Sequence, residues 1–212
     1  MKTRRDAFAV ALPAAPALLD PASLFPPETQ SVGLEIGFGG GEHLAAQAAA
    51  NPTVGFIGCE PFINGVSSLL ALLDDQALSN VRIHSEDARL LLQALKPASI
   101  DRAFLLFPDP WPKRKHHGRR FAGPEGLTLL ANALIDNAEF RVATDHATLG
   151  PWMQAQLGEH PDFTLEAKAD ERPAHWPPTR YEAKAIAVGR KRIYLTYRRK
   201  PRQTADKMAP GG

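Results

Sequence analysis

The chain has 212 residues, a length typical of one compact domain with its own hydrophobic core. Hydrophobic residues make up 44% of it and charged residues 23%, a composition that excludes a collagen-like or wholly disordered protein. The net charge is only +2, so attraction to a polyanion has to come from local clusters of basic residues.

The cysteine content and the lengths of the apolar runs bear on where the protein resides. The single cysteine, Cys59, cannot form an internal disulfide, and we expect a buried thiol without a chemical role. No uninterrupted apolar run approaches the roughly 20 residues of a membrane-spanning helix. The sequence therefore predicts no membrane integration and a cytoplasmic location.

Short runs rich in Val, Ile, Leu and Phe alternate with Ala- and Leu-rich runs at helical spacing, which predicts βαβ units around a parallel sheet. The predicted strands are at 31–36, 54–59, 81–84, 100–107, 139–143 and 191–198. The predicted helices are at 41–50, 61–76, 88–95, 124–137 and 147–158. The segment RPAHWPPTRYE is predicted as a Pro-rich loop, and the alternation of the last strand suits an antiparallel or edge position.

The same pattern predicts the domain organisation. Residues 1–30 are expected to form a flexible basic N-terminal arm, and residues 31–200 the folded domain. Residues 201–212 are polar and rich in small residues, and we expect a flexible tail there.

A glycine-rich stretch, LEIGFGGGEH at residues 34–43, lies between the first predicted strand and the first predicted helix. Glycines let the backbone approach a ligand closely, and a helix N-terminus presents free N–H groups. The glycines at 37, 39, 40 and 41 fit the G-x-G-x-x-G pattern of dinucleotide-binding proteins poorly. A nicotinamide-dependent dehydrogenase is therefore disfavoured, and absence of nicotinamide binding would exclude it.

Three acids recur in step with the predicted strands: Glu35, Glu60 and Asp87. The carboxyl ends of parallel strands meet at the ligand-binding crevice of an open α/β sheet. There Glu35 could face an amino group, Glu60 a ribose diol and Asp87 an adenine amine. S-adenosylmethionine carries all three groups and no phosphate. An acid just past a strand can also be only the N-cap of the next helix, and for Asp87 the sequence leaves both interpretations open.

The stretch FPDPWPKRKHHGRR, residues 107–120, follows the fourth predicted strand. Pro108 and Pro110 restrict the backbone on both sides of Asp109, and Trp111 offers a flat face on which a base could stack. Five of the eight residues from 113 to 120 are Lys or Arg, a cluster that binds phosphate backbones. A solvated basic loop would explain this cluster, but it would not explain the acid and the tryptophan before it.

Taken together, these motifs resemble the bacterial tRNA (guanine-N7)-methyltransferases, which methylate guanosine 46 in the tRNA variable loop. LEIGFGGGEHL, GCEP, SEDA, FPDPWPKRKHHGRR, ATDH and TRYE occur in the order found in that family, over about residues 32–198. The resemblance implies an α/β fold of the Rossmann-like class I methyltransferase type, a three-layer sandwich. Its seven-stranded sheet is mostly parallel, with the last strand antiparallel. The implied cofactor is S-adenosylmethionine and the implied partner is tRNA, with no obligate protein partner and no metal site.

The resemblance also implies site residues. The implied catalytic residue is Asp109, which we expect to orient guanine and stabilise positive charge rather than remove a proton, because N7 already carries a free lone pair. The implied cofactor-binding residues are Glu35, Gly37, Gly39, Glu60, Pro61, Asp87, Ala88 and Asp109. The implied substrate-binding residues are Lys113, Asp145, Thr179, Arg180, Tyr181 and Glu182. The implied RNA-binding residues are Lys115, His116, His117, Arg119 and Arg120.

The sequence departs from the family pattern in two places and leaves two further functions open. GFGGG replaces the commoner GxGxG, and the segment AIAVGRKRIYLTYRR is more basic than expected, which suggests an added RNA contact. An exocyclic-amine methyltransferase often carries a D/N-P-P-aromatic loop that PDPW partly imitates, so the identity of the methylated base separates the two classes. A nonenzymatic RNA-binding module is the other alternative, indicated by tRNA binding without methyl transfer.

Overall fold

The computed structural model describes residues 2–203, with side chains from residue 5 onward. Most of the predicted tail, residues 204–212, lies outside the described residues. The strands are β1 (Ser31–Ile36), β2 (Val54–Cys59), β3 (Val81–His84), β4 (Ile100–Leu106), β5 (Leu134–Thr144), β6 (Phe163–Ala169) and β7 (Ile193–Arg199). The helices are α1 (Lys2–Phe8), α2 (Glu42–Ala50), α3 (Ile63–Asp75), α4 (Ala88–Ala94), α5 (Pro124–Ala133), α6 (Leu149–Glu159) and α7 (Arg180–Ala187). Two short 3-10 helices cover Pro21–Leu24 and Arg114–Arg119.

All seven strands form one sheet in the order β3-β2-β1-β4-β5-β7-β6. The first five strands pair in parallel, whereas β7 is antiparallel to both of its neighbours, β5 and β6. This confirms the predicted seven-stranded sheet with an antiparallel last strand. The carboxyl ends of β1 to β5 consequently lie along one edge of the sheet, where loops can share a ligand.

The core has two layers of buried side chains, one on each face of the sheet. Along β4, Ala103 and Leu105 pack with buried residues of α4, α5 and α6, while Phe104 and Leu106 pack with those of α2 and α3. Successive side chains of a strand point to opposite faces, so the apolar stretch 103–106 of β4 serves both layers. Helices on both faces make the three-layer sandwich.

The predicted elements agree best where the apolar pattern is strongest. The bounds predicted for β1, β2 and β3 are confirmed. The helix predicted at 124–137 is too long, because it ends at Ala133 and Leu134 begins β5 by pairing with Ile100 of β4. The apolar spacing continues through this boundary, so only the long-range strand pairing reveals where the helix stops.

Two elements near the C-terminus were missed by the sequence prediction. The edge strand β6 has mostly exposed side chains, so it lacks the alternation of a half-buried strand. The helix α7 was taken for part of a Pro-rich loop. Its start carries a capping signal in T-x-x-E, since Thr179 Oγ1 accepts a hydrogen bond from the backbone N–H of Glu182 at 3.0 Å.

The segment before β1 runs along the domain. Ala9 forms a parallel bridge with Ile83, and Leu19 forms one with Leu95. Arg5 also donates a hydrogen bond to Ser85 Oγ at 2.8 Å. The division of the chain into an arm, a domain and a tail stays a prediction.

Within residues 2–203, no helix combines the length and the apolar composition needed to cross a membrane.

The glycine-rich turn after β1 provides a test of the local fold. Gly37 and Gly41 both have positive φ angles, +72° and +86°. A Cβ on Gly37 would meet nothing within 4 Å, whereas one on Gly41 would lie 2.7 Å from Leu69 Cβ. We expect Gly37→Ala to lower the free energy of unfolding by about 1–2 kcal/mol through backbone strain alone. Gly41→Ala should cost a further amount of about 1–3 kcal/mol through crowding.

Urea unfolding of the two variants measures this difference directly. Equal losses of stability in the two variants would show that Leu69 does not crowd the turn.

Candidate functional site

The glycine-rich turn joins β1 to α2 at the ligand-binding edge of the sheet. Gly37, Gly39 and Gly41 all adopt the left-handed conformation, which glycine reaches without a steric penalty. A Cβ on Gly65 would lie 2.3 Å from the carbonyl oxygen of Gly39, so α3 approaches the turn closely. Gly37, Gly39 and Gly41 have the G-x-G-x-G spacing, so the departure from that pattern expected for GFGGG is wrong, and the segment folds into a tight turn.

Glu60, directly after β2, holds this turn in place. Its carboxylate accepts the backbone N–H of Gly39 at 2.9 Å and that of Phe62 at 3.0 Å. Burial raises the pKa of Glu60, the two backbone hydrogen bonds oppose that shift, and the negative charge of Asp109 adds to it. Glu60 therefore ties the start of α3 to the glycine-rich turn.

An open cleft of about 880 Å³ lies above this edge of the sheet. Its walls include seven predicted cofactor-binding residues: Gly37, Gly39, Glu60, Pro61, Asp87, Ala88 and Asp109. Arg119, Arg180 and Tyr181 also line it. The size suits a nucleoside-containing ligand. Cys59 contributes to the floor, and burial raises the pKa of its thiol, as expected for an inert cysteine.

Asp87 serves as a helix cap. Its Oδ1 accepts the backbone N–H of Arg89 at 2.9 Å at the start of α4, and its Oδ2 pairs with the Arg89 guanidinium at 2.9 Å. The capping interpretation left open by the sequence is therefore confirmed. The side chain is still 53% exposed and lines the cleft, so its remaining acceptor positions face the ligand space.

Glu35 lies outside the cleft walls. It is 3% exposed, and its Oε2 lies 2.8 Å from His43 Nδ1 on α2. The alternation of β1 explains this placement, because the side chain points to the α2 and α3 face between Leu34 and Ile36, which pack on the other face. Glu35 thus fixes α2 beneath the glycine-rich turn, and the sequence did not predict its histidine partner.

The loop that carries Asp109 is strained. Phe107 and Trp111 have φ angles of +51° and +41°, a conformation that is costly for bulky residues and concentrates at functional sites. Arg120, only 7% exposed, donates hydrogen bonds from Nε to the Pro110 carbonyl at 2.9 Å and from Nη2 to the Trp111 carbonyl at 3.3 Å. Arg120, predicted to bind RNA, therefore supports the loop from below, while Asp109 stays exposed.

The 3-10 helix Arg114–Arg119 brings basic side chains beside this loop. The Arg119 guanidinium lies 4.7 Å from the centroid of the Trp111 ring, and His116 meets the ring edge-on at 5.9 Å. Arg119 therefore covers one face of the tryptophan predicted to stack on a base. Lys113, Lys115 and His117 are solvent-accessible and lie outside the walls of the cleft.

A second cavity, called here the side pocket, adjoins the cleft and measures about 500 Å³. Its walls include Phe107, Asp109, Asp145, Tyr181, Lys184 and Arg190. Four residues line both cavities and form the wall between them: Phe107, Pro108, Asp109 and Tyr181. Asp109 and Tyr181 supply its polar groups. The Tyr181 ring lies over the glycine-rich turn, since a Cβ on Gly39 would come within 2.7 Å of it.

The segment TRYE, residues 179–182, divides between the cleft and the core. Arg180 forms a 3.7 Å ion pair with Glu42 at the start of α2. Glu182 is 5% exposed, and its carboxylate accepts hydrogen bonds from Tyr194 Oη at 2.7 Å and Arg172 Nε at 3.1 Å. Thr179 and Glu182, predicted to bind substrate, thus cap and anchor α7, whereas Tyr181 faces the cavities.

Several polar residues around the two cavities were missed by the sequence prediction. Asn64 and Ser68 of α3 line the cleft, and His146 lines the side pocket with Lys184 and Arg190. The unusual basic character of the segment before β7 was the only signal for Arg190. Among the residues that the structure describes, no group of three or more His, Cys, Asp or Glu side chains could hold a metal ion.

The buried contact between Tyr194 and Glu182 gives a test of how α7 is anchored. Burial is the main cause that raises the pKa of Tyr194, so its hydroxyl remains a donor at neutral pH. We expect Tyr194→Phe to lower the free energy of unfolding by about 1.5–3 kcal/mol, because a buried carboxylate loses a donor. Tyr197→Phe is the matched control: Tyr197 is equally buried, at 2%, and its hydroxyl has no side-chain hydrogen bond within residues 2–203.

Chemical denaturation of both variants provides the measurement. Equal effects at the two tyrosines would contradict an anchoring role for Glu182.

Comparisons with known proteins agree with this geometry. The family described as "Putative methyltransferase" matches residues 29–195. A protein of Rhodospirillum rubrum named tRNA (guanine-N(7)-)-methyltransferase is 49% identical over 188 residues, which cover 87% of this chain and 74% of the relative. A protein of Paramagnetospirillum magneticum with the same name is 49% identical over 197 residues, covering 91% of this chain and 82% of the relative.

Solved structures share the fold at low sequence identity. The 16S rRNA methyltransferase KamB is 17% identical, with a TM-score of 0.63 over 87% of this chain and 99% of that one. TrmN from Thermus thermophilus is 15% identical, with a TM-score of 0.59 over 80% of this chain and 44% of that one. At these identities the likeness concerns the fold alone. The family match and the two relatives show that the chain belongs to the tRNA (guanine-N7)-methyltransferase family.

Proposed function

We propose that the protein is a tRNA (guanine-N7)-methyltransferase that forms 7-methylguanosine at position 46 of the variable loop, with S-adenosylmethionine as methyl donor. The observation that carries this proposal is the wall of Asp109 and Tyr181 shared by the cleft and the side pocket. A methyl donor in one cavity and a guanine in the other would meet at that wall. The names of the relatives support guanine N7 as the acceptor and tRNA as the substrate.

The residues lining the cleft fit an adenosyl cofactor. Gly37, Gly39 and Pro61 bring backbone close to the ligand space, and Glu60 and Asp87 present acceptors there. Each Glu60 oxygen accepts one backbone N–H, and a carboxylate oxygen has two acceptor positions, so ribose hydroxyls can still be bound. Glu35 acts on the cofactor site through the turn that it supports with His43.

When bound, S-adenosylmethionine would supply an electrophilic methyl group. Transfer of that group to N7 would break the S–C bond, leave its electron pair on sulfur and pass the positive charge to the purine. No proton leaves N7, so the protein needs no general base. Guanine presents N–H donors on its N1 and N2 edge, which the carboxylates of Asp109 and Asp145 can accept. Both carboxylates also favour the positive charge that develops on the ring.

The surface around the cavities fits an RNA backbone. Lys113, Lys115 and Arg119 lie on the exposed segment next to Asp109, where they can bind phosphates. A base within folded tRNA has to leave its stack to reach the wall between the cavities, and backbone contacts can supply the energy for that step. A tRNA substrate is consistent with the predicted cytoplasmic location.

Methyl transfer from labelled S-adenosylmethionine to unmodified bulk tRNA, followed by nucleoside analysis, tests the proposal. Label in 7-methylguanosine is the expected result. Label in N6-methyladenosine or N4-methylcytidine would instead place the protein among exocyclic-amine methyltransferases. Binding of tRNA without any transfer would indicate an RNA-binding module.

Asp109→Asn tests the electrostatic role of the shared wall. The substitution preserves shape but removes the negative charge, so we expect kcat to fall by about 100-fold. Asp75→Asn, at the exposed end of α3, is the matched control and should keep full activity. Near-normal turnover of the Asp109→Asn variant would contradict an electrostatic role for the Asp109 carboxylate.

Glu60→Gln tests the cofactor site. Loss of a charged acceptor should raise the Kd for S-adenosylmethionine by about 10- to 100-fold in calorimetric titration. Because burial raises the pKa of Glu60, cofactor binding by the unmodified protein should weaken on acidification at a higher pH than for an exposed glutamate. The Gln variant should lack this pH dependence. An unchanged Kd would contradict the role of Glu60, and Glu159→Gln on the exposed end of α6 serves as control.

A further inference from the structure

Two cations that belong to none of the predicted site residues reach the side pocket. Lys184 comes from α7, and Arg190 comes from the segment between α7 and β7. Both residues are exposed. They share the pocket with the carboxylates of Asp109 and Asp145, so two cations and two anions line one small cavity.

The contacts of both cations leave them available to a ligand. Arg190 Nη1 donates to Asp145 Oδ2 at 2.9 Å, yet the Arg190 side chain is 62% exposed. Exposed ion pairs contribute little free energy, so the guanidinium can exchange this partner for another anion at small cost. Lys184 Nζ lies 5.7 Å from the centroid of the Tyr181 ring, and within residues 2–203 it has no acidic partner.

The mixture of charges matches a nucleotide better than a base. A neutral guanine can use the two carboxylates through its N–H donors, and its O6 can accept a hydrogen bond from one cation. It carries no negative charge to pair with either cation, and its N7 has to stay free for the methyl group. A guanine within an RNA chain is joined to a phosphate on each side. Lys and Arg side chains are the usual partners of such phosphates.

The position of these cations separates them from the basic segment at 113–120. Gly118 and Arg119 of that segment line the cleft, whereas Lys184 and Arg190 line the side pocket beyond the shared wall. Basic residues therefore flank Asp109 on two sides. RNA that reaches Asp109 would pass between two basic surfaces, one formed by the segment at 113–120 and the other by Lys184 and Arg190.

We propose that Lys184 and Arg190 form a phosphate-binding site for the RNA backbone next to the target guanine. This inference rests on the proposed function and extends it to residues outside the predicted site. On RNA binding, Arg190 exchanges Asp145 for a phosphate, which leaves the Asp145 carboxylate free for the donor edge of the base.

Salt-dependent binding of unmodified tRNA to the Lys184→Gln and Arg190→Gln variants tests the proposed phosphate-binding site. The slope of log K against log salt should become shallower by about one for each variant, because one phosphate contact is lost. Affinity at low salt should also fall several-fold. Lys168→Gln removes the same charge from exposed β6, outside both cavities, and should leave the slope unchanged.

Arg190→Lys distinguishes phosphate binding from support of Asp145. A lysine retains the positive charge and should restore the slope, whereas a role in orienting Asp145 predicts a fall in kcat with an unchanged slope. Slopes for Lys184→Gln and Arg190→Gln that equal the Lys168→Gln slope would overturn the proposal. Binding is measured without methyl transfer, so its result tests the phosphate-binding site independently of the proposed methyltransferase activity.

Discussion

The hydrogen bonds of the Glu60 carboxylate are the interaction on which the site depends. They join the end of β2 to Gly39 in one direction and to the start of α3 in the other. The Tyr181 ring of α7 lies directly over Gly39 of the turn fixed in this way. Because Tyr181 also belongs to the side pocket, the shape of the glycine-rich turn determines how the two cavities meet.

The wall between the cavities is held from several directions. Arg120 supports the Asp109 loop through two backbone carbonyls, and the buried contacts of Glu182 anchor the helix that carries Tyr181. Most of these supporting groups are buried, while Asp109 and Tyr181 remain accessible. Buried residues therefore hold the loop and the helix in place, while Asp109 and Tyr181 stay accessible to ligands. Direct transfer between two bound molecules requires such fixed, accessible positions.

The sequence predicted the sheet and the crevice more completely than the roles of individual side chains. Glu60, Asp87 and Asp109 lie in the cleft as expected from acids at the ends of parallel strands. Glu35 and Glu182 turn into the core, because strand alternation and distant partners on other elements decide their direction. No local motif encodes those partners. The T-x-x-E cap of α7 was, in contrast, present in the sequence.

The most direct test of a guanine bound beside the methyl donor is the position of the product in the RNA. Borohydride reduction followed by aniline treatment cuts an RNA chain at 7-methylguanosine. Unmodified tRNA treated with this protein and S-adenosylmethionine should yield one cut, at position 46 of the variable loop. Incorporated methyl groups without any such cut would contradict transfer to guanine N7 at the wall formed by Asp109 and Tyr181.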